Sequence, residues 1–349
     1  MDAWNTSDES LGSNTTESIY ASYAERQVPS AATFVASFVG LLGNLAVICA
    51  ILTVKKLQTT TNVFVFNLAV ADVLTCTVAP LQAVTILNDE LVFPLWVCKL
   101  VAFCLITCIG CSINCLVCIA VNRLIGITTA AHSVYRKLLT PCKLSFALVL
   151  TWFPPLVVAT TPLLSDYAEY GYNPIYNSCT WQSSRSYTFS YAMLVAVVFF
   201  PIQFLVLFVS YLRIFLYVRK TSRSTLGQDS AAYTNLALQR QLWERQVAVT
   251  KNLFLVVCVF LLCLSPYFLI LALVKTASSA LSYASTILVA NSSVNPIIYA
   301  TRHPDFRTAF AGMVHCGRKG QSSQPVVAPR GRVSYKTTTN TDFELQTSV

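Results

Sequence analysis

Two charged residues of this sequence stand within long apolar stretches. Arg123 follows a run of apolar or small residues from Leu100 to Val121, and the apolar sequence resumes directly after it. Asp72 lies deep within another apolar run. A charge in an apolar environment is costly unless it is paired, hydrated or neutralised, so both residues are candidate functional groups. The structural alternatives are an arginine that extends its head group to a polar surface, and an aspartate that is protonated or linked to water.

The composition places these charges in a membrane protein. Of the 349 residues, 55% are hydrophobic and 11% are charged, and the mean hydropathy is +0.59. A soluble domain has about a quarter charged residues, so this sequence is typical of a membrane protein. The net charge of +9 does not indicate nucleic-acid binding, because the lysines and arginines are spread over the gaps between apolar segments.

Seven apolar segments are each long enough to cross about 30 Å of hydrocarbon as a helix. Their approximate extents are 31–54, 62–87, 97–125, 143–164, 187–217, 248–274 and 280–301. Prolines inside several of them predict kinks. Lysines and arginines concentrate in alternate gaps. This bias predicts a multi-pass protein of the plasma membrane with an extracellular N-terminus and a cytosolic C-terminus.

The N-terminal tail, residues 1–29, is acidic and polar and has no apolar core of a signal peptide. It contains two acceptor triplets for N-linked glycosylation, at Asn5 and Asn14. Such triplets also occur by chance, but two of them in one short tail favour an extracellular, glycosylated segment.

The chain after the last apolar segment divides into an amphipathic part and a polar tail. Residues 303–316 place Phe306, Phe310 and Met313 at helical spacing between basic residues, which predicts a helix on the cytosolic membrane surface. Cys316 is a candidate for palmitoylation, and an unmodified cysteine is nearly as well supported. Residues 317–349 are rich in serine and threonine and are predicted to be disordered.

Two features of this tail indicate protein partners. The sequence ends in Thr347-Ser348-Val349, which fits strand addition into the groove of a PDZ domain, although so short a pattern often matches by chance. Serine and threonine residues around Thr337 to Thr341 are candidates for phosphorylation that recruits arrestin.

Short motifs within the apolar segments resemble those of the rhodopsin-like (class A) G-protein-coupled receptors. The motifs are GNLAV with Asn44, NLAVAD with Asp72, Cys98, NRL around Arg123, Trp152, CLSP with Pro266, and NPIIY from Asn295 to Tyr299. The resemblance covers about residues 28 to 316. It implies an all-α membrane protein, with a seven-transmembrane helix bundle over residues 30–302 and a short amphipathic helix eight. It also implies a receptor that binds an extracellular ligand and activates a heterotrimeric G protein.

Within this family the chain is most similar to the melatonin-receptor branch and its invertebrate relatives. The similar stretches are AVNRLIGI, GYNPIYNSCTW and SYLRIF. This resemblance implies coupling to a G protein of the inhibitory class.

The resemblance assigns a coupling switch to residues of the bundle core and its cytosolic half. They are Asn122, Arg123, Pro266, Leu264, Phe260, Ile113, Asn295, Pro296 and Tyr299. In the family the arginine is held inside in the resting state. It turns towards Tyr299, a tyrosine of helix five and the G protein when helix six swings outward. Core packing is the alternative role for Ile113 and Phe260.

The chain departs from the family pattern at this switch. Asn122 stands where the family often has an acid, and Gln246 stands where helix six often carries the acidic partner. The resting state therefore lacks two ionic restraints, and we expect some basal activity. Leu264 replaces the family's tryptophan on helix six, so Tyr267 or Phe260 is expected to couple the ligand to the helix-six kink.

A second cluster surrounds the buried carboxylate. Asn291 and Asn295 lie four residues apart on one helix face. The resemblance places Asp72, Ser112, Asn291 and Asn295 around one cavity, where relatives bind a sodium ion. Oxygen ligands suit a hard cation. The alternative is a polar network around a protonated or water-linked aspartate, without a stable ion.

Most of the 13 cysteines lie within apolar segments and are expected to pack as small hydrophobic residues. Cys98 and Cys179 fall on the extracellular, oxidising side of the predicted topology. They are expected to form a disulfide between helix three and the second extracellular loop.

The ligand-binding residues are the least determined part of the sequence. Receptors for amines in this family use an aspartate where this chain has Leu105, and retinal receptors use a lysine where it has Val289. The candidate lining residues are Gln82, Leu105, Trp181, Gln182, Tyr191, Tyr267, Leu271 and Ser285. They are apolar or neutral, which favours a small, neutral or lipid-like ligand and no cofactor other than sodium. Lys99, Arg185 and Lys275 at the rim leave a carboxylate or peptide ligand open.

Two other classes of protein are less well supported by the sequence. A transporter or channel would show paired charges along a path or internal repeats. An enzyme would need a nucleophile–base pair or metal ligands, whereas the three histidines all fall on the cytosolic side, far apart in sequence.

Overall fold

A computed structural model describes residues 20, 22–129, 140–165, 168–173, 178–181, 188–225, 233–273 and 279–316. Asn5, Asn14, Gln182 and the tail 317–349 lie outside these ranges. The predictions of glycosylation, of a disordered tail and of its partners therefore concern residues outside the description. The backbone of Gln246, Leu271 and Cys316 is helical, but their side chains are also outside it.

The described residues form nine α-helices, a 3-10 turn at Lys55–Leu57 and one β-hairpin. The helices are α1 (Tyr23–Thr53), α2 (Thr60–Asn88), α3 (Leu95–Thr128), α4 (Pro141–Leu164), α5 (Thr188–Phe199), α6 (Pro201–Thr225), α7 (Tyr233–Leu273), α8 (Ser279–Arg302) and α9 (Pro304–Cys316). The hairpin strands are β1 (Tyr170–Asn173) and β2 (Ser178–Trp181), which pair antiparallel with Tyr172 opposite Cys179.

The described residues of all seven predicted apolar segments are mainly helical, and the predicted all-α fold is confirmed. Within the described ranges, six helical stretches are long and apolar enough to cross a membrane, and α8 is not among them. The buried face of α8 is polar. It includes Ser282, Thr286, Asn291, Ser292, Ser293 and Asn295. These polar side chains lie in the interior of the bundle, and their polarity lowers the mean hydropathy of α8.

Helix boundaries follow local signals in the sequence. The Ser22 side chain accepts a hydrogen bond from the Glu25 amide at the start of α1, and Thr59 does the same for Asn62 in α2. Both residues satisfy an amide that has no partner within the helix. At the end of α2, Asp89 adopts a left-handed conformation with φ 62°, and its carboxylate pairs with Arg26 of α1 at 3.0 Å.

The fifth apolar segment is broken in the middle. α5 ends at Phe199 and α6 begins at Pro201, so the segment forms two helices. Proline has no amide hydrogen and its ring clashes with the carbonyl four residues earlier, so it suits the first turn of a new helix. The predicted kink in this segment is therefore an interruption at Phe200.

Gly43 of α1 lies close to the Pro296 side chain of α8. A Cβ atom added to Gly43 would lie 2.6 Å from Cγ and 2.8 Å from Cβ of Pro296. Real Cβ contacts are longer, so a side chain here would push α1 away from the proline of α8.

We expect Gly43→Ala to lower the thermal stability of the receptor. The added methyl group overpacks the contact at a cost of about 1–3 kcal/mol, against a gain in helix propensity of at most about 1 kcal/mol. Gly312→Ala in α9 is the matched control, because an added Cβ there meets no described atom within 4 Å. Equal melting temperatures for both variants would contradict the proposed close contact.

Candidate functional site

The buried carboxylate is held by three helices. Asp72 of α2 is fully buried. Its Oδ1 accepts hydrogen bonds from Ser112 Oγ of α3 at 3.2 Å and Ser292 Oγ of α8 at 2.9 Å, and its Oδ2 accepts one from Asn295 Nδ2 at 2.8 Å. These three donors stabilise the negative charge, and in the described part of the chain no cationic side chain pairs with it.

The hydrogen bonds of Asp72 include one residue outside the predicted sodium-binding set. Asn291 is buried, and among the described contacts Asp72 accepts a hydrogen bond from Ser292 and none from Asn291. The Ser292 carbonyl also accepts from Nδ2 of Asn44 in α1 at 2.8 Å. Ser292 lies three residues before Asn295, a spacing that also puts both on one face of a helix. This spacing was the available signal for Ser292.

The oxygen atoms at this site fit a sodium ion. Small hard cations prefer oxygen ligands, and a carboxylate next to hydroxyl groups supplies them. Asp72 provides one carboxylate, and the hydroxyls of Ser112 and Ser292 both lie within hydrogen-bond distance of its Oδ1. Asn295 directs its amide hydrogens at Asp72 in this arrangement, so it orients the carboxylate.

At the end of α3 an amide takes the place of the family's acid. Asn122 Nδ2 donates to Thr61 Oγ1 of α2 at 2.6 Å, and both side chains are buried. The missing ionic restraint at this position is thus replaced in part by a neutral hydrogen bond between α3 and α2.

Near Arg123 lie two tyrosines in succession whose hydroxyl groups are unsatisfied. Tyr211 of α6 lies within electrostatic reach of Arg123, and Tyr299 of α8 within reach of Tyr211. Both tyrosine hydroxyls are buried, and no described residue forms a hydrogen bond with them. A buried polar group without a partner costs about 1–3 kcal/mol. In this group of three side chains, the two tyrosine hydroxyls would therefore gain stability from a new polar partner.

The ends of the helices on this side are joined by polar contacts. Lys56 pairs with Asp305 of α9 at 2.7 Å, and Asn252 Nδ2 of α7 donates to the Arg302 carbonyl of α8 at 2.7 Å. The Tyr299 ring stacks on Phe306 with centroids 5.3 Å apart. These contacts join α7 and α9 to the end of α8, and α9 also to the 3-10 turn between α1 and α2.

Aromatic rings occupy the region of the missing tryptophan. Leu264 is buried, as are Ile113 and Phe260. Near Pro266, the Phe268 ring stacks on Phe200, with centroids 5.6 Å apart. Phe200 is the residue at which the fifth segment breaks.

The stack of Phe268 on Phe200 connects α7 to the break in the fifth segment. Phe268 also packs edge-on against Tyr267, with centroids 5.5 Å apart. On the other side Phe200 lies 6.1 Å from Phe204 of α6. The sequence indicated Tyr267 for the coupling role, but it did not indicate Phe268 or Phe200.

The opposite end of the bundle is covered by the β-hairpin. Cys98 of α3 and Cys179 of β2 form a disulfide, and Gln82 Oε1 of α2 accepts a hydrogen bond from the Cys179 amide at 3.1 Å. Burial raises the pKa of Tyr170 well above its usual range and, together with nearby acids, the pKa of Tyr172 to about 12. Both β1 tyrosines therefore stay uncharged at physiological pH.

Beneath the hairpin lies a cavity of about 100 Å³ with a wholly uncharged lining. Five of the predicted ligand residues line it. They are Gln82, Leu105, Trp181, Tyr267 and Ser285. Val289 also lines it, together with Phe268 and Gly110.

Tyr191 does not line this cavity, and its ligand-binding role stays a prediction. It is fully buried. Its hydroxyl bonds the Tyr170 hydroxyl at 3.0 Å and donates to the Val158 carbonyl at 3.2 Å. Its ring packs edge-on against Trp181, with centroids 5.7 Å apart. Tyr191 therefore supports a lining residue from behind.

Of the three basic residues predicted at the rim of the ligand site, the structure describes Lys99. Lys99 Nζ lies 3.3 Å from Glu169 Oε1. This ion pair occupies Lys99, while Arg185 and Lys275 lie outside the described residues. Of the free cysteines of α3, Cys108, Cys111 and Cys115 are buried, and Cys115 Sγ accepts a hydrogen bond from Asn67 Nδ2 at 3.1 Å.

Comparison with known proteins assigns the family. The sequence profile described as "7 transmembrane receptor (rhodopsin family)" matches residues 43–299. Melanopsin-B of Xenopus laevis is 32% identical over 293 residues, which cover 80% of this chain and 53% of the relative. The alpha-1A adrenergic receptor of Oryzias latipes is 27% identical over 314 residues, which cover 80% of this chain and 65% of the relative. The chain thus spans about half to two thirds of the length of these relatives.

A solved structure has the same fold. Squid rhodopsin superposes with a TM-score of 0.74 at 20% sequence identity, over 87% of this chain and 89% of that chain. Together with the profile match over most of the helical bundle, this similarity identifies the group of proteins. The chain belongs to the rhodopsin family of seven-transmembrane receptors.

Proposed function

We propose that this protein is a plasma-membrane receptor that binds a small uncharged ligand and activates a heterotrimeric G protein. The observation that carries the proposal is the uncharged cavity beneath the disulfide-linked hairpin, at the opposite end of α3 from Arg123. The family consists of receptors rather than enzymes, which agrees with the absence of a catalytic motif in the sequence.

The proposed orientation has the hairpin outside the cell. The Cys98–Cys179 disulfide supports this, because disulfides persist on the oxidising side of a membrane. At the other end of the bundle Lys56, Arg302 and Arg307 follow the positive-inside rule. We also propose the segment boundaries 1–29, 30–302, 303–316 and 317–349 for the N-terminal tail, the bundle, helix eight and the C-terminal tail. Arrestin and a PDZ domain remain proposed partners of the last segment.

The lining of the cavity defines the proposed ligand class. Leu105 provides no carboxylate for an amine, and Val289 provides no amine to form an imine with retinal. The volume of about 100 Å³ is below the range of about 300–1,000 Å³ for drug-sized ligands. A small, flat and neutral ligand held by hydroxyl and amide groups fits this site best.

Finer assignments follow from the motifs. The stretches AVNRLIGI and GYNPIYNSCTW support a melatonin-receptor-like branch and an inhibitory G protein. A retinal-binding receptor is the rival function, since the fold matches squid rhodopsin. Val289 argues against a covalent chromophore.

The test uses radiolabelled melatonin as the probe and forskolin-raised cyclic AMP as the signal, in cells expressing the receptor. We expect saturable binding and a cyclic AMP signal lowered in a manner sensitive to pertussis toxin. Ser285→Asp should abolish binding by placing a charge in the cavity, whereas Leu42→Ala on the exposed face of α1 should not change it. A visible absorption band after addition of 11-cis-retinal would overturn the ligand assignment.

We also propose that Asp72, Ser112 and Ser292 bind sodium, with Asn295 orienting the carboxylate. When bound, the ion supplies the positive charge that Asp72 otherwise lacks. These side chains come from α2, α3 and α8, so binding favours the packing in which the three helices meet.

We expect sodium to lower ligand-independent G-protein activation about fivefold or more, the usual size of allosteric coupling. The measurement replaces sodium chloride by N-methyl-D-glucamine chloride at constant ionic strength. Asp72→Asn and Ser292→Ala should remove the sodium dependence. Asn291→Ala should retain it, because Asn291 is not a hydrogen-bond partner of Asp72. If Asp72→Asn responds to sodium like the wild type, the site is wrong.

A further inference from the structure

A second and larger cavity lies between α6 and α7. Its volume is about 510 Å³, and it is lined by side chains between Phe204 and Val218 of α6 and between Val247 and Leu261 of α7. The lining is almost entirely apolar. Large side chains such as Phe208, Phe215 and Phe254 remain about half exposed in it. The volume falls within the range of about 300–1,000 Å³ that is usual for ligand sites.

The length of this groove matches one leaflet of a bilayer. Val218 is fourteen positions after Phe204, and Leu261 is fourteen positions after Val247. At about 1.5 Å per residue the groove is about 21 Å long. Half of a bilayer, head groups included, is about 20–22 Å thick. In the proposed orientation the end near Val218 and Val247 faces the cytosol.

Among the described residues, two basic side chains flank this end of the groove. Lys251 of α7 lines the groove, and Arg219 of α6 follows Phe215 by four residues and so lies on the same helix face. Both residues are exposed, and neither has an ion-pair partner among the described side chains. Long basic side chains place their stems along apolar surface and their charges at the membrane interface.

We propose that this groove binds one anionic phospholipid of the cytosolic leaflet. An acyl chain lies along Phe208, Phe215 and Phe254, and the phosphate group lies between Lys251 and Arg219. The apolar lining and the charge at one end match the two parts of such a lipid. The inference does not depend on the ligand of the extracellular cavity, and only the name of the leaflet rests on the proposed orientation.

The test is native mass spectrometry of the purified full-length receptor. The receptor is incubated in detergent with equal amounts of palmitoyl-oleoyl phosphatidylcholine and phosphatidylglycerol. We expect one phosphatidylglycerol molecule to remain bound in preference to phosphatidylcholine. In the Arg219→Gln/Lys251→Gln variant its occupancy should fall by about fivefold for each removed charge. Cys258→Trp should lower it too, because the larger side chain fills the groove.

Two matched control variants distinguish lipid binding in the groove from non-specific binding of lipid to the receptor surface. Lys220→Gln removes one charge next to Arg219 but off the groove face. Leu262→Trp adds the same ring to a side chain that is 73% exposed and does not line the groove. Both should retain phosphatidylglycerol like the wild type. Equal retention in all variants, equal retention of the two lipids, or a lipid-free dimer would overturn the proposal.

Discussion

Arg123→Ala should reduce ligand-independent G-protein activation about tenfold or more, with an unchanged amount of receptor at the cell surface. Arg123 is the charged member of the group with Tyr211 and Tyr299, whose buried hydroxyl groups have no described partner. A G protein that docks here supplies polar partners for the two hydroxyl groups. The planar guanidinium of Arg123 in turn offers the G protein several donors in a fixed arrangement. The loss corresponds to the usual coupling free energy between two sites. Nucleotide exchange on an inhibitory G protein in isolated membranes measures it directly.

Variants of the neighbouring residues test the origin of the basal activity. Thr61→Val removes the acceptor of Asn122 on α2 and should raise the basal signal. Asn122→Asp places an acid beside Arg123 and should lower it. Arg123→Lys should give an intermediate signal, because lysine keeps the charge but not the fork of donors. If Arg123→Ala signals like the wild type, the proposed coupling site is wrong.

Removal of the disulfide should have the second largest effect. Cys98 and Cys179 are separated by 81 residues in sequence. Closing a loop of this size would stabilise a soluble chain by about 4–5 kcal/mol. Here the intervening helices already restrict the two ends, so we expect Cys98→Ala to cost about 2–3 kcal/mol. Most of the receptor should then fail to reach the cell surface.

The disulfide variants have a clear control. Cys104→Ala changes a free cysteine of the same helix that is only partly buried, and it should leave surface expression nearly unchanged. The double variant Cys98→Ala/Cys179→Ala should match the single variant, because both lose the same bond. Normal surface expression and melting temperature for Cys98→Ala would show that the hairpin is held by other contacts, such as the Gln82 hydrogen bond.

The helices were predictable because each follows from a local pattern. Apolar length determined the spans, and Pro201 marked the site of the interruption in the fifth segment. The choice of Ser292 over Asn291 was not predictable, because both lie close to Asn295 in sequence. Only the rotation of α8 against α2 decides which of them reaches Asp72.

Contacts between distant segments explain the other differences. Tyr191 carries a hydroxyl group and lies near the extracellular end, which made it a plausible lining residue. Its hydroxyl is used by Tyr170 of the hairpin, a strand whose position no local pattern specifies. The Phe200–Phe268 stack depends in the same way on how α6 and α7 cross.

The polar character of α8 has a consequence for biosynthesis. A segment of this hydropathy partitions poorly into lipid when it leaves the translocation channel alone. Its hydrogen-bond partners are Asp72 on α2, Asn44 on α1 and Thr33 at the start of the bundle, all of which are synthesised earlier. The nascent α8 therefore enters the bilayer as a partner of helices that are already inserted. Loss of the hydrogen bonds to Asp72 would then first be seen as receptor molecules whose C-terminus lies on the wrong side of the membrane.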